Sequence, residues 1–213
     1  MNVIAINGSP RKGWNTHLLV QEAAKGAAAS GATTEIINLY ALDFRGCISC
    51  FECKRKGSPS LGRCAVKDGL RPVLDKIDIC DGLIIGSPIY LHEMTSSTRA
   101  LVERLIFQYI TYKSDNSSFF KRRVKTALIY TMNNPDSVLE DAGYPAKFKA
   151  YEALFTRLIG PAQSLICTAT WQTTDYSKYE MSKFNAEERK KRREEVFPLD
   201  LKKVFEMGKA LVS

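Results

Sequence analysis

Short β-branched apolar runs alternate along this chain with stretches of helical periodicity, and that rhythm constrains the fold more than any other feature. The runs fall at residues 3–6, 35–39, 83–85, 124–130 and 164–169. Between the first two, residues 16–29 are alanine-rich and stop at Ser30–Gly31, a good helix-terminating pair. Residues 70–79 carry Pro72 in what becomes a first helical turn. Residues 95–112 place Leu101, Val102, Leu105, Ile106, Tyr109 and Ile110 on one face. Residues 145–159 repeat the pattern with Phe148, Tyr151, Leu154, Phe155, Leu158 and Ile159. Strands that are apolar almost throughout need cover on both faces, and parallel neighbours need a helical crossover. The chain is therefore expected to be α/β, a doubly wound five-stranded parallel sheet in the order 2-1-3-4-5. That order seats a ligand at the switch point between strands 1 and 3. With no repeat, low-complexity tract or linker, one domain is expected over residues 1–170, followed by a helical C-terminal extension over 171–213 that packs on the domain or on a partner subunit.

Met1 leads straight into the first strand run with no basic, then apolar, leader pattern, and no stretch approaches the ~20 apolar residues of a membrane span. A cytoplasmic protein is expected, in which cysteines stay reduced and more often ligate metal or do chemistry than pair. The formal net charge is +8, with cations gathered at 54–56, 121–125 and 188–195. Such a surface suits phosphorylated cofactors, acidic protein partners or nucleic acid. A nucleic-acid module built on the basic helix near 187–195 is the weakest of these, because no recognised binding motif accompanies it. Neither a membrane nor a nucleic acid is an expected partner.

In this sheet order the loops at the carboxyl ends of strands 1, 3 and 4 must carry function. The first, NGSPRKGWNT (7–16), offers the side chains of Ser9, Asn15 and Thr16, two cations and the exposed N–H groups of a helix start. A phosphate monoester asks for that set. The loop matches neither GxGxxG nor GxxxxGK[ST], which disfavours a dinucleotide or a P-loop triphosphate there. After strand 3, GSPIYLHEMTSSTRALVER (86–104) brings Pro88, Ile89 and Tyr90 to the switch point as a rigid apolar edge fit for a flat ring. After strand 4, TMNNPDSVLEDAGYP (131–145) is long for such a connection, and Asn133 and Asn134 can pair with the polar edge of a ring. No paired carboxylates and no Ser–His–Asp set suggest hydrolysis.

INGSPRKGWNT, GSPIYLHEMTSSTRALVER and a cysteine-rich loop ending CAVKDGL resemble the NADPH-dependent FMN reductase family, and within it the iron–sulfur flavoproteins. The resemblance covers roughly residues 1–170 and implies a flavodoxin-like fold with bound FMN. It implies a phosphate site on Ser9, Arg11, Asn15 and Thr16. It sets the isoalloxazine against Pro88, Ile89, Tyr90 and Leu91 on one side and Thr131, Met132, Asn133 and Asn134 on the other. The implied activity passes electrons from NAD(P)H through FMN to a quinone, a flavin, an iron centre or a protein. The alternative is an electron carrier fed by a ferredoxin-like partner. A homodimer or higher homo-oligomer is expected, with Trp171, Tyr176 and Tyr179 as interface anchors.

Four of the six cysteines fall between Gly46 and Cys64, three of them spaced C-x2-C-x2-C. Two intervening residues let successive thiolates converge on one centre, the economical way to wrap a [4Fe–4S] cluster. Iron–sulfur flavoproteins carry that arrangement at this point of the fold. Cys47, Cys50 and Cys53 match its first three positions, whereas Cys64 follows after ten residues, a longer gap than the pattern has. Three readings stand open: a [4Fe–4S] cluster, free or redox-active thiols, and a four-thiolate zinc site. Zinc prefers two separated C-x2-C pairs. Cys80 and Cys167 flank or occupy strand runs and read as buried thiols.

Overall fold

A computed structural model describes residues 1–212, so Ser213, the last residue of the expected extension, lies outside the described residues. Five parallel strands form the sheet: β1 (Asn2–Asn7), β2 (Thr33–Asn38), β3 (Gly82–Tyr90), β5 (Lys125–Thr131) and β6 (Ala162–Cys167), in the order β2-β1-β3-β5-β6. A two-residue strand, β4 (Glu93–Met94), pairs antiparallel with the end of β3, Tyr90 opposite Glu93. Without that addition the order is the expected 2-1-3-4-5. The helices are α1 (Asn15–Ala29), α2 (Arg71–Ile79), α3 (Ser96–Tyr109), α4 (Tyr144–Leu158), α5 (Ala186–Glu195) and α6 (Phe197–Ala210).

Strand alternation sorts the core into two layers. Ile4, Ile6, Leu83, Ile85, Leu128 and Tyr130 face α2, α3 and α4. Val3, Ala5, Ile84, Ala127 and Ile129 face the other way, against α1 and α6. The two helices of that second layer approach very closely. A Cβ added to Gly26 would fall 1.9 Å from the Phe205 carbonyl oxygen, and one added to Gly208 would fall 1.9 Å from that of Ala23. Helix α6 thus packs directly against α1.

At the carboxyl edge, side chains lash neighbouring elements together. Thr95 caps α3, accepting from the Thr98 N–H, and its hydroxyl donates to the Gly8 carbonyl at 2.8 Å. The buried hydroxyls of Thr16 on α1 and Thr131 on β5 lie 2.7 Å apart. These ties bring the ends of β1, β3 and β5 to one place. Among the described residues no helix is long and apolar enough to cross a membrane.

Candidate functional site

A cleft of about 120 Å³ opens at the carboxyl ends of β1, β3 and β5. Ser9, Arg11, Trp14, Asn15 and Thr16 form one end of its lining. The Ser9 N–H donates to Asn7 Oδ1 and the Arg11 N–H to Ser9 Oγ, which shapes the loop as a tight turn. Helix α1 begins here with no side-chain cap and no acidic residue in its first turn. Its first N–H groups therefore remain as donors and its positive dipole end is uncompensated. The Arg11 guanidinium lies 3.6 Å over the Trp14 ring and donates to the Gln172 carbonyl at 2.7 Å. An anion with several oxygens is the ligand such an end can hold.

Pro88, Ile89 and Tyr90 make an apolar wall, and Thr131, Met132 and Asn133 face it. Both amide atoms of Asn133 are buried without a partner, as is Gln172 Oε1. Buried polar atoms left unpaired each cost about 1–3 kcal/mol, so a ligand offering both donors and acceptors along one edge fits this end. Burial raises the Tyr90 pKa, Tyr40 adds to the rise, and Arg11 opposes it.

Ten residues expected at the site line this cleft, and two do not. Leu91 is 97% exposed at the tip of the β3–β4 turn, where it and His92 both have positive φ. The Asn134 amide turns to the Tyr144 hydroxyl at 3.4 Å, and its carbonyl accepts from the Ala169 N–H. Trp14, Thr170 and Gln172 line the cleft without having been expected there. The last two follow β6, whose end pairs with that of β5, Thr131 opposite Cys167, so the loop after β6 reaches the same edge of the sheet.

A family model described as NADPH-dependent FMN reductase matches residues 1–135. The chain belongs to that family. Among curated relatives of this FMN reductase-family chain, an iron-sulfur flavoprotein of Methanocaldococcus jannaschii is 38% identical over 104 residues, 49% of this chain and 51% of the relative. One of Archaeoglobus fulgidus is 34% identical over 104 residues, 49% of this chain and 48% of the relative. The chain spans about half the length of the curated relatives it matches. Among solved structures, an NAD(P)H:quinone oxidoreductase from Methanothermobacter marburgensis superposes with a TM-score of 0.70 at 16% identity, covering 99% of this chain and 98% of that one. An azoreductase from Bacillus anthracis gives 0.66 at 12% identity, covering 98% and 99%. These two share the fold, which is flavodoxin-like.

The cysteine loop forms a separate site. Cys47, Cys50, Cys53 and Cys64 line one small cavity together with Phe51, Arg104, Phe107 and Gln108, and among the described residues none lines both this cavity and the cleft. The ten-residue insert loops out through Gly57 and Gly62, both at positive φ, and the Gly62 N–H closes on the Cys53 carbonyl at 2.9 Å. That closure returns Cys64 beside the other three. Cys47 and Cys50 are exposed, Cys64 is half-buried and Cys53 is buried. Burial pushes the Cys53 thiol up while Lys54 pulls it down, with a net rise. Arg104, fully buried, bonds Asp68 at 2.6 Å and the Arg45 and Val66 carbonyls, yet its Nε and the Gln108 Nε2 have no partner. Among the described residues no three His, Cys, Asp or Glu side chains are grouped as a metal-ion site.

Of the three aromatics expected at a subunit interface, Tyr176 is bonded within the chain through its side chain. Trp171 is half-buried, its main-chain carbonyl accepts from Asn15 and its indole N–H is buried without a partner among the described residues, while the Tyr176 hydroxyl accepts from the Gln172 N–H. Tyr179 is 56% exposed.

Proposed function

We propose that the protein is an FMN-dependent oxidoreductase that draws electrons from NAD(P)H and delivers them to a quinone, a second flavin, an iron centre or a protein acceptor. The observation that carries this reading is the cleft itself. It is cationic and rich in N–H donors at the α1 end, apolar along Pro88–Tyr90, and lined by unpaired amide atoms at Asn133 and Gln172. Phosphate, flat ring and polar ring edge ask for those three surfaces. When bound, FMN supplies the hydride and electron chemistry, and the chain supplies binding, orientation and electrostatics. Ser9, Thr16 and the α1 N–H groups receive the phosphate, and Arg11 neutralises part of its charge. Pro88 and Ile89 would shield the ring from water, and the unpaired amide atoms of Asn133 and Gln172 would meet its polar edge. The purified protein is expected to be yellow and to release FMN, not FAD, on denaturation. A colourless chain that fails to take up added FMN removes this reading.

The cysteine cavity supports a second role for the same chain, an iron–sulfur flavoprotein that exchanges electrons with a ferredoxin-like partner. Cys47, Cys50, Cys53 and Cys64 would hold a cluster, and the unpaired Arg104 Nε and Gln108 Nε2 are the donors an anionic, sulfur-rich group requires. The basic surface suits an acidic protein partner. Iron and sulfide assays on protein purified without oxygen test this role. Protein containing neither leaves the oxidoreductase reading alone.

A further inference from the structure

Helix α5, AEERKKRREE, is dense in cations, and two of its arginines bond residues that line the cleft. Arg193 Nη1 donates to Asn15 Oδ1 at 3.0 Å, at the first residue of α1. Arg189 Nη2 donates to the Asn133 carbonyl at 3.0 Å. Four residues apart, they share one helical face. Each guanidinium also lies over an aromatic ring, Arg193 at 4.0 Å from the Phe197 centroid and Arg189 at 5.4 Å from that of Phe184. Arg11 repeats the arrangement, stacked on Trp14 and bonded to the Gln172 carbonyl.

Two other cations of α5 have carboxylate partners: Lys190 pairs with Glu194 and Arg192 with Asp200. Arg11, Arg189 and Arg193 differ. Among the described residues none of the three has a carboxylate within 4.0 Å, although α5 carries four glutamates. Burial pulls the Arg193 pKa down, with Arg192 adding to the effect and Cys167 opposing it. A guanidinium does not give up its proton at ordinary pH, so a half-buried one without a counter-ion calls for an anion. Stacking on a ring fixes its plane and leaves its donor edge to meet oxygens in pairs.

We infer that Arg189 and Arg193 of α5 complete, with Arg11, a phosphate-monoester subsite at the mouth of the cleft, so that the C-terminal helix is part of the ligand site. The inference rests on the oxidoreductase reading for the identity of its ligand, since that reading provides two phosphate monoesters. One is the 5′-phosphate of FMN and the other the 2′-phosphate that separates NADPH from NADH. Asn15 is the link: its Oδ1 accepts from Arg193 while its Nδ2 donates to the Trp171 carbonyl at 2.8 Å, so an anion against the α1 terminus lies within the reach of α5.

The test uses the full-length chain and the variants Arg193→Gln and Arg189→Gln. Inorganic phosphate is the first probe: it is expected to raise the thermal midpoint of the parent chain and to lose that effect in Arg193→Gln. The second readout compares ligands that differ by one phosphate. A loss of about 10- to 100-fold for FMN with riboflavin unchanged assigns the subsite to the flavin phosphate. A rise of similar size in KM for NADPH, with KM for NADH and FMN affinity unchanged, assigns it to the nicotinamide nucleotide. Equal changes within each pair, or none, overturn the inference. If Arg193→Gln does not fold, Arg189→Gln reads the same discrimination, since its bond is to a backbone carbonyl. A parent chain that binds no flavin but keeps an Arg193-dependent response to phosphate overturns the FMN reading and retains the subsite. A yellow parent chain whose variants bind FMN and NADPH normally does the reverse.

Discussion

Arg11 is held between the Trp14 indole and the Gln172 carbonyl, so its position is set before any ligand arrives. A charge-assisted bond from a pre-positioned guanidinium to a phosphate is worth roughly 1.5–3 kcal/mol. Arg11→Ala is expected to weaken FMN binding by about that amount and to leave riboflavin binding nearly unchanged. Gln172 stays anchored by its N–H to Tyr176, so the ring end of the cleft survives the substitution. Equal losses for the two ligands, measured by flavin fluorescence titration, place the phosphate elsewhere. Leu91 teaches the opposite lesson. With φ of 48° at Leu91 and 67° at His92, the β3–β4 turn takes a left-handed form usually announced by Asn-Gly. Leu-His gives no such signal, so Leu91 read as part of the apolar wall when it is a turn tip in solvent. A left-handed Leu is strained and Asn tolerates that conformation, so Leu91→Asn is expected to add about 0.5–1 kcal/mol of stability. A thermal midpoint higher by about 2 °C checks it, and a lower one shows that Leu91 makes a contact after all.

At the scale of elements, the strands and the helices that cover them were legible because periodicity and burial point the same way. α1 ends at Ser30–Gly31 as its composition predicts, and α3 and α4 bury the faces that their spacing marks. What periodicity does not carry is which helix meets which. α6 lies against α1 because Gly26 and Gly208 have no Cβ, and nothing in the two isolated glycines announces that they face each other's helix backbone. Thr170 and Gln172 escaped for a related reason: attention to strands 1, 3 and 4 passed over a loop whose strand merely ends beside β5. Gly208→Ala tests the close approach. The added carbon would meet the Ala23 carbonyl, which is backbone and can move only if the helix moves. A loss of roughly 1–3 kcal/mol, as for an overpacked core, is expected in denaturant unfolding. Unchanged stability refutes so close a contact. Because α6 follows α5 directly, the same variant is expected to loosen the arginines at the cleft and to lower FMN affinity as well.

Across the whole molecule, two sites occupy one domain without sharing a lining residue, the cleft at the carboxyl ends of β1, β3 and β5 and the cysteine cavity against α3. Their separation makes the roles divisible by mutation. Serine at Cys47, Cys50, Cys53 or Cys64 keeps the volume nearly constant but removes a sulfur ligand, so if the loop holds a cluster, each substitution is expected to abolish iron binding while FMN remains bound. Oxidation of NAD(P)H with an artificial acceptor is then expected to survive, because it needs only the cleft. Reduction by a ferredoxin-like protein is expected to fail. Cys47 and Cys50 are exposed, so their substitution leaves packing almost untouched. Cys53 is buried, and its variant carries a stability penalty that the other two do not. Comparing the exposed pair with Cys53 therefore separates loss of a ligand from loss of fold. If all four variants retain NAD(P)H oxidation and the parent chain holds no iron, the loop is a thiol-bearing surface apart from the cleft and the carrier role is withdrawn. If FMN leaves together with iron, the two sites are coupled through α3, contrary to their disjoint linings.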